Sequence, residues 1–552
     1  MKKILLGNEA IVQGALEAGV DFVSTYPGTP ASEIGNTFAR IAKKHNIYFE
    51  FSTNEKVALE AAVGASFSGL KCLVAMKHFG LNVASDALLP FCYTGTKGPT
   101  VIIVADDPSC WSSGQSEQNS RAYAYLAHIP MLEPSDAQEA KDFTKLAFKI
   151  SEKFKIPVIV RTTTRVAHQR MPVQLSEIRK QKIENRKKGR FVKDVKRFVT
   201  MPPRVLEMKE ELLKKIEKIR EFAEKSPISK LSRDRASTKL GIITSGVSYL
   251  YVKEVLEELK LDLPVLKLGF FYPLPEKKVK NFIKNLKQVL IIEELEPYLE
   301  KEVKILAKEV NCNLKVYGKD FLPQIGELKT EIVTQAIGRL INKKLKIENS
   351  LKIENWKLKI PKRFPRLCPD CPYWFVFSAI KKAAPKGTIF GGDIGCYMLA
   401  GFPPHNIQDY LFCMGSSIGI GHGIKKSSKQ KLIALIGDST FFHAGIPALI
   451  NTVYNKSNPL IIVMDNRITA MTGHQPYPGM GETGMGEATQ EIKIEDIVKA
   501  CGVKNLKVID PINVKELQST IKRFLKKKEV SVIVARRICV LWERRRKRRK
   551  KT

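Results

Sequence analysis

The sequence predicts an α/β fold with three open parallel-sheet domains, and three observations lead to it. Short β-rich apolar runs alternate with helical patterns along most of the chain. With 552 residues, the chain is too long for a single hydrophobic core. Two stretches, residues 181–236 and 341–362, interrupt the alternation with basic or polar sequence. Together these observations divide the chain into three α/β domains joined by two linkers.

The first domain is predicted over residues 1–180. Its strand candidates are bounded by Gly or Pro and separated by helical patterns; they are VDFVSTYP, KCLVAMK, PTVIIVADD and PVIVRTT. A basic linker follows over residues 181–236. It contains an amphipathic run with helical spacing, VLEMKEELLKKIEKIREFAEK.

Two further α/β domains are predicted, over residues 237–340 and 363–540. The strand candidates of the former are KLGIITSG, LPVLKLG, QVLIIEE and NLKVYG. Those of the latter are KLIALIGD, LIIVMDN and VSVIVAR. A polar linker with an internal repeat separates them, and a basic tail over residues 541–552 ends the chain. Because open parallel sheets bind ligands at the carboxyl ends of their strands, candidate site residues are sought there.

The net charge is unusually positive. Lys and Arg number 92 against 56 Asp and Glu, which gives +36. Such a charge suggests a nucleic-acid-binding protein, a non-enzymatic alternative. The lysines are dispersed over amphipathic segments, however, which favours solvated helix faces. Only the final run, WERRRKRRKKT, is concentrated; it is typical of a solvated, disordered tail and could also dock an acidic protein.

Membrane insertion and secretion are not expected. The sequence has no run of about 18 apolar residues, and its N-terminus lacks a signal-type apolar segment with a cleavage site. The ten cysteines of a chain without a secretory signal are not expected to form a disulfide framework. The sequence therefore predicts a cytoplasmic protein.

Polar residues follow two strand candidates of the third domain. One strand ends in Gly437-Asp438 and the next ends in Asp465-Asn466. A carboxylate and an amide oxygen at neighbouring strand ends can hold Mg²⁺ together with phosphate oxygens. The alternative is that Asp438 caps a helix and Asp465-Asn466 forms a turn.

Several longer motifs resemble one family. They include GNEAIVQGALEAGVDFVSTYPGTPASEI, MKHFGLNVASDALL, PMLEPSDAQEAKDF, MGSSIG and MDNRITAMTGHQPYPG. By these motifs the chain resembles the indolepyruvate ferredoxin oxidoreductase α-subunits, which are thiamine-diphosphate enzymes of the 2-oxoacid:ferredoxin oxidoreductase superfamily. The resemblance implies oxidative decarboxylation of aryl pyruvates, such as indolepyruvate and phenylpyruvate, to acyl-CoA, with electrons passing to ferredoxin.

The resemblance also implies the cofactor-binding residues. The third domain is similar to the thiamine-diphosphate fingerprint, and by that match Asp438, Asn466 and the backbone carbonyl of Ile468 would hold Mg²⁺. Ser439 replaces a glycine of the fingerprint, a departure that the resembled α-subunits share. The full set of expected cofactor-binding residues is Gly415, Ser416, Gly437, Asp438, Ser439, Asn466, Ile468 and Thr472.

A carboxyl group is needed beside the cofactor's pyrimidine ring, in a dry site that raises its pKa. Thiamine enzymes share a pattern of Glu, a small-residue helix and Gly, which Glu55 and Gly64 match. Glu60 is the competitor, although on a helix it faces a different direction. A solvated Glu55 at the helix start is the other alternative. The cofactor pocket is then expected between the first and third domains, from two protomers.

Two residues of the first domain are candidates for binding the substrate. Thr29 lies in Tyr26-Pro27-Gly28-Thr29-Pro30, which resembles the Tyr-Pro-x-Thr-Pro turn of 2-oxoacid oxidoreductases. Arg121 could pair with the substrate carboxylate through two hydrogen bonds. The alternatives are a purely structural turn and an ordinary surface arginine.

The cysteines suggest an electron relay. By their order, which resembles that of related oxidoreductases, Cys368, Cys371, Cys396 and Cys539 would hold a [4Fe–4S] cluster. Zinc binding or a redox pair also fits the Cys-x-x-Cys spacing alone. Asp370 and Tyr373 depart from the family's Cys-Pro-Gly-Cys-Pro-His.

The resemblance also implies partners. Family members usually carry a C-terminal ferredoxin-like domain, whereas this chain ends in the basic tail. We therefore expect electrons to leave through a ferredoxin or a ferredoxin-like subunit, with gene truncation as the alternative. A smaller β-subunit in an α₂β₂ assembly and coenzyme A as co-substrate are also expected. A non-oxidative thiamine-dependent 2-oxoacid decarboxylase is the second enzymatic reading.

Overall fold

The computed structural model describes residues 2–112, 114–176, 189–232, 239–341 and 366–549. The chain forms two compact units. The first comprises Met1–Glu50 and Glu55–Ile353, and the second comprises Phe51–Asn54 and Glu354–Thr552.

Strands and helices alternate through residues 2–176 of the first unit. They are, in chain order, β1 (Lys2–Leu6), α1 (Gly7–Ala18), β2 (Phe22–Thr25), α2 (Ser32–Ile41), β3 (Tyr48–Phe51), α3 (Glu55–Phe67), β4 (Cys72–Lys77), α4 (His78–Thr94), β5 (Thr100–Asp106), α5 (Ala122–Ala127), β6 (Met131–Leu132), α6 (Ala137–Phe154), β7 (Val158–Thr163), α7 (Thr164–His168) and β8 (Arg170–Gln174).

The rest of the first unit starts with helices and continues as a second alternating region. Its elements are α8 (Val195–Phe198), α9 (Arg204–Lys225), β9 (Lys230–Ser232), β10 (Leu240–Ser245), α10 (Ser248–Glu258), β11 (Val265–Leu268), β12 (Phe270–Tyr272), α11 (Glu276–Ile283), β13 (Gln288–Ile292), α12 (Tyr298–Val310), β14 (Lys315–Tyr317) and α13 (Thr330–Leu340).

The first unit contains two large sheets. The seven-stranded sheet has the order β12-β6-β7-β5-β4-β2-β3, and the five-stranded sheet has the order β14-β13-β10-β11-β9. Strands β12 and β9 pair antiparallel at edges of these sheets. The pairs β2-β4, β4-β5, β5-β7, β6-β7, β10-β11, β10-β13 and β13-β14 are parallel. A two-stranded antiparallel sheet joins β1 to β8. Inner strands such as β5 are buried along their whole length, which is why they read as continuous apolar runs.

The second unit contains one five-stranded sheet, all of whose pairs are parallel. Its strand order is β15-β16-β17-β19-β18. The elements are α14 (Tyr373–Ala383), β15 (Ile389–Gly391), α15 (Ser416–Ser427), β16 (Leu432–Gly437), α16 (Asp438–Thr440), α17 (Ile446–Tyr454), β17 (Leu460–Asp465), α18 (Ile494–Ala500), β18 (Asn505–Ile509), α19 (Val514–Phe524), β19 (Ser531–Arg536) and α20 (Val540–Arg549).

The α/β prediction is confirmed, and each strand predicted from an apolar run is present. Two features differ from the prediction. Strand β12, although it lies in the second α/β region, pairs with β6 and so extends the first sheet. The basic run after residue 540 is helical to Arg549; Lys547 and Glu543 form an ion pair of 2.9 Å one turn apart, a contact that favours a helix.

The polar linker predicted over residues 341–362 lies outside the described residues apart from Ile341. Among the helices that the structure describes, none combines the length and apolar character needed to cross a bilayer.

Candidate functional site

Two carboxylates lie at the carboxyl edge of the second unit's sheet. Strands β16 and β17 are parallel neighbours, with Gly437 opposite Met464, so the residues that end them lie close together. Asp438 follows β16 directly, and Asp465 ends β17. Asp438 is 4% exposed and Asp465 fully buried.

Their hydrogen bonding is unequal. Asp465 Oδ2 accepts from Arg536 Nε at 2.6 Å, and its Oδ1 accepts from the N–H of Arg467 at 3.1 Å. Asp438 Oδ1 accepts from the N–H of Ser439 at 2.8 Å. Asp438 Oδ2 is buried and has no hydrogen-bond partner among the described residues. Of the two carboxylates, Asp438 is the one left incompletely satisfied.

The electrostatics of Asp438 fit a cation. Burial raises the pKa of Asp438 well above its ordinary value, and the neighbouring charge of Asp465 raises it further. The hydroxyl of Tyr477 faces both carboxylates and donates to Asp465 Oδ1 at 3.4 Å. A buried carboxylate with a free oxygen is costly unless a positive charge compensates it. A hard divalent cation with oxygen ligands would do so.

The other predicted magnesium ligands lie just beyond β17. Asn466 and Ile468 are both buried, and Asn466 Oδ1 accepts from the N–H of Ile468 at 3.1 Å. The structure therefore brings Asp438, Asn466 and Ile468 to one edge of the sheet. Thr472 lies further along the same segment, where its hydroxyl donates to Gln475 Oε1 at 2.6 Å.

A buried aspartate that the sequence analysis missed holds the glycine-rich segment. The carboxylate of Asp393 accepts from the N–H groups of Ile394, Gly415 and Ser417 at 2.8, 2.8 and 2.9 Å. Burial raises its pKa to about 6, although these N–H groups act in the opposite direction. The sequence signal for Asp393 is its position two residues after β15, in the glycine-rich run GGDIGCY.

Glycine is required at two predicted cofactor positions. Gly415 has φ of 88°, and a Cβ there would lie 2.5 Å from the Cβ of Ala444. A Cβ at Gly437 would lie 2.7 Å from the ring of Tyr397. Ser416 begins α15 and donates its hydroxyl hydrogen to the carbonyl of Cys413 at 2.6 Å. Ser439 is buried beside Asp438.

The four predicted cluster cysteines are neighbours in the second unit. The N–H of Cys371 donates to the carbonyl of Cys368 at 3.2 Å. Burial raises the pKa of Cys396 to about 12, and the charges of Cys371, Cys539 and Cys368 add to this. Within the described part of the chain, no three His, Cys, Asp or Glu side chains form a metal-binding group. Four cysteine thiols remain the type of donor set that an iron–sulfur cluster requires.

In the first unit, Glu55 and Glu60 have different environments. Glu55 begins α3 and is 5% exposed. A Cβ at Gly80 would lie 2.6 Å from Glu55 Cγ, so the glycine lets α4 approach the carboxyl group closely. The side chain of Glu60 is 50% exposed and lies 3.9 Å from Lys56. Of the two, only Glu55 has the dry surroundings that the predicted role needs.

The two residues predicted to bind substrate, Thr29 and Arg121, differ in burial and in hydrogen bonding. Thr29 is half-buried, with its hydroxyl 3.3 Å from that of Ser32. Arg121 is 2% exposed, and its guanidinium donates to Glu133 through Nε and Nη2, to Glu293 through Nη1 and to Ser245 through Nη2. This network connects the first sheet to the second α/β region and occupies the guanidinium. The geometry supports a structural role for Arg121.

Three family models match the chain. Residues 13–226 match "Pyruvate flavodoxin/ferredoxin oxidoreductase, thiamine diP-bdg". Residues 230–363 match "Indolepyruvate oxidoreductase domain". Residues 393–535 match "Thiamine pyrophosphate enzyme, C-terminal TPP binding domain".

Curated relatives match over nearly the full length. The indolepyruvate oxidoreductase subunit IorA of Methanothermobacter thermautotrophicus is 45% identical over 98% of this chain and 87% of its own length. That of Pyrococcus horikoshii is 46% identical over 98% and 86%, respectively. A more distant relative, the 2-oxoglutarate synthase subunit KorA of Archaeoglobus fulgidus, is 27% identical over 58% of this chain and 96% of its own.

A solved structure shares the fold. It is the 2-oxoglutarate:ferredoxin oxidoreductase from Magnetococcus marinus, with 2-oxoglutarate, coenzyme A and succinyl-CoA bound. The TM-score is 0.51 at 18% identity, over 62% of this chain and 65% of that chain.

Proposed function

The chain belongs to the indolepyruvate oxidoreductase subunit IorA family of thiamine-diphosphate-dependent 2-oxoacid:ferredoxin oxidoreductases, and from that membership we propose that it oxidatively decarboxylates aryl pyruvates to acyl-CoA. Indolepyruvate and phenylpyruvate are the proposed substrates. The names of the relatives and the match to the indolepyruvate oxidoreductase domain support this substrate class.

The observation that carries the proposal is the unsatisfied, buried carboxylate of Asp438 beside Asp465. In the proposal, Asp438, Asn466 and the carbonyl of Ile468 would hold Mg²⁺, which would supply positive charge for binding the cofactor's diphosphate. Gly437, Ser439 and Thr472, with the segment Gly415-Ser416 that Asp393 holds, surround it. Bound thiamine diphosphate supplies an electron sink for the carbanion left by decarboxylation.

Glu55 is the proposed carboxyl partner of the pyrimidine ring. Its burial and the close approach of Gly80 support this role, because the role needs a carboxyl group held away from bulk water. Thr29 is the proposed hydrogen-bond donor to the substrate at the edge of the first sheet. The sequence suggested a substrate-binding role for Arg121, which the structure does not support, because four of its five N–H donors already bond Glu133, Glu293 and Ser245.

Cys368, Cys371, Cys396 and Cys539 are the proposed ligands of a [4Fe–4S] cluster that accepts electrons one at a time. The electrostatic influence of the other three cysteines on the Cys396 thiol and the partial burial of all four residues support the proposal. A ferredoxin or ferredoxin-like subunit is the proposed acceptor, a smaller β-subunit the proposed partner and coenzyme A the proposed co-substrate.

The test is anaerobic expression together with the candidate β-subunit, followed by product analysis with indolepyruvate. We expect indoleacetyl-CoA and reduced viologen, both dependent on coenzyme A and thiamine diphosphate. Formation of indoleacetaldehyde, without viologen reduction and without iron in the protein, would instead identify a non-oxidative decarboxylase. Turnover of 2-oxoglutarate in preference to both aryl pyruvates would contradict the substrate class.

A further inference from the structure

A buried lysine at the edge of the first sheet has a role that the motifs did not indicate. Lys77 is the last residue of β4, and β4 is the parallel neighbour of β2, which leads into the Tyr26–Pro30 turn. A Cβ at Gly28 would lie 3.0 Å from Lys77 Cγ and 3.1 Å from its Cδ. The stem of Lys77 therefore packs on the turn, next to Thr29.

The ammonium group of Lys77 has few hydrogen-bond partners among the described residues. Nζ donates to the carbonyl of Ser112 at 3.2 Å and lies 4.7 Å from the ring centre of Phe79. It forms no ion pair at contact distance with any residue in the described ranges. An ammonium has three donors, and among the described residues only Ser112 accepts a hydrogen bond from it.

The nearby acidic groups do not form a direct hydrogen bond with the Lys77 ammonium. Burial lowers the pKa of Lys77, while the charges of Asp107 and Glu55 act in the opposite direction. Asp107 already accepts from the N–H of Ser112 at 2.7 Å and from the hydroxyl of Thr164 at 2.6 Å. The ammonium thus has attractive charges nearby but lacks a direct anionic partner.

A carboxylate ligand is the simplest group that would complete this site. A partly buried ammonium is stabilised by a charge-assisted hydrogen bond to a carboxylate, which is shorter and stronger than a neutral one. The site lies where the carboxyl ends of β2 and β4 meet, the usual position for a ligand in an open parallel sheet. Arg121, the other cation considered for this purpose, already uses four of its five N–H donors within the protein.

We propose that Lys77 binds the carboxylate of the 2-oxo acid substrate, beside the Thr29 hydroxyl and the Glu55 carboxyl group. This inference rests on the proposed function and assigns one of its substrate contacts. It predicts that Lys77 contributes to affinity through the charge of the ligand rather than through its aryl ring.

The test compares two inert ligands that differ only in charge, indole-3-propionate and its primary amide. Binding to the assembled complex with thiamine diphosphate and Mg²⁺ is measured by calorimetry. We expect the wild type to prefer the carboxylate by roughly 10- to 100-fold, the size of one charged hydrogen bond. Lys77→Met should lose that preference while its affinity for the amide stays the same. Lys77→Arg should retain part of the preference, and the exposed Lys149→Met on α6 should retain all of it.

Two results would overturn the inference. One is a full carboxylate preference in Lys77→Met. The other is loss of cofactor affinity in both Lys77→Met and Lys77→Arg, which would mark a structural role. A wild-type complex that binds no thiamine diphosphate would instead refute the proposed function itself, so the two failures are distinguishable.

Discussion

Single carboxyl groups in this protein have environments that differ far more than their sequence positions suggest. Glu55 and Glu60 belong to the same helix, yet one is buried against Gly80 and the other is half exposed. Asp438 and Asp465 end neighbouring strands, yet only Asp465 has an arginine partner. At the residue scale, burial and partner geometry therefore decide which acid can take part in chemistry.

Replacing Glu55 by Gln keeps the side-chain size and removes the ionisable group. We expect turnover to fall by roughly 10²- to 10⁴-fold, the usual contribution of general acid–base catalysis, while thiamine-diphosphate affinity changes little. Steady-state viologen reduction together with calorimetry separates the two effects. Glu60→Gln, on the same helix, is the matched control and should behave as wild type. Equal activity of the two variants would refute the assignment of Glu55.

Glu294 provides a prediction about pH and stability. Burial raises its pKa to about 7 from the ordinary 4.5, while the N–H of Leu328 donates to it at 3.1 Å. Between these two values the unfolded chain releases a proton that the folded chain keeps, so stability falls as the pH rises through that range. The loss amounts to about 3 kcal/mol, at about 1.4 kcal/mol for each unit of pKa.

Glu294→Gln should therefore lower stability less, or raise it more, at pH 8 than at pH 5, relative to wild type. Thermal unfolding midpoints at the two pH values measure this difference. The exposed Glu258→Gln is the control. A Glu294→Gln variant whose midpoint shifts equally at both pH values would show that the carboxyl group keeps its ordinary pKa in the folded chain.

Individual residues were predictable from sequence only where a local pattern marks them. Asp438 and Asn466 end apolar runs, and Glu55 precedes a small-residue helix, so each could be proposed as a candidate. The hydrogen bonds of Arg121 could not be predicted, because its partners Glu133, Glu293 and Ser245 meet it only in the fold. Lys77 was missed for the same reason, since its environment depends on Gly28 and Ser112.

At the scale of elements, the start of α15 depends on a residue outside the helix. Asp393 accepts three backbone N–H groups, two of them from Gly415 and Ser417 at the helix start. These hydrogen bonds fix the segment that we propose lies against the diphosphate. The three contacts span residues from β15 to α15, so no local sequence pattern reveals them.

Asp393→Asn should loosen this segment, because an amide has one acceptor oxygen where the carboxylate has two. We expect thiamine-diphosphate affinity to fall by roughly 10- to 100-fold, as for other groups that orient a binding site, with the fold retained. Circular dichroism checks the fold and calorimetry the affinity. Asp409 also accepts a backbone N–H, from Phe390 at 2.7 Å, but at an exposed position, so Asp409→Asn is the matched control. If both variants bind the cofactor as wild type does, the segment is not part of the site.

Strand positions were the most predictable elements, and edges the least. The buried inner strands read as continuous apolar runs because both of their faces are covered. Strand β12 has only three residues. It pairs with β6 where the second α/β region packs on the first sheet, a contact that also includes the hydrogen bond between Arg121 and Glu293. Helix α20 was unexpected because like charges along its sequence indicated a disordered tail.

For the molecule as a whole, the excess of positive charge is the property most relevant to partners. A net charge of +36 accelerates association with acidic proteins, and dissolved salt screens this attraction. Binding of the proposed acidic ferredoxin would explain the positive charge without nucleic-acid binding. The dispersed lysines and the concentrated run in α20 contribute separately to this attraction, and substitutions can distinguish their contributions.

The rate of ferredoxin reduction at sub-saturating ferredoxin should fall as ionic strength rises. Replacing Arg546 and Lys547 of α20 by Gln should make this dependence shallower, because it removes exposed charge from the proposed docking end. The control replaces Lys526 and Lys528, which are exposed elsewhere in the second unit. Stopped-flow kinetics over a salt series measures the slopes. Identical slopes for the three proteins would exclude α20 from the docking surface.

The central claim is that a magnesium-bound thiamine diphosphate completes the buried carboxylate site of the second unit. Calorimetric titration of the cofactor into the assembled protein tests it most directly, with Mg²⁺ present or chelated. The account predicts saturable binding that requires Mg²⁺ in the wild type and in the exposed control Asp496→Asn, and that is lost in Asp438→Asn. Absence of binding to the wild type, or equal binding to Asp438→Asn, would contradict it.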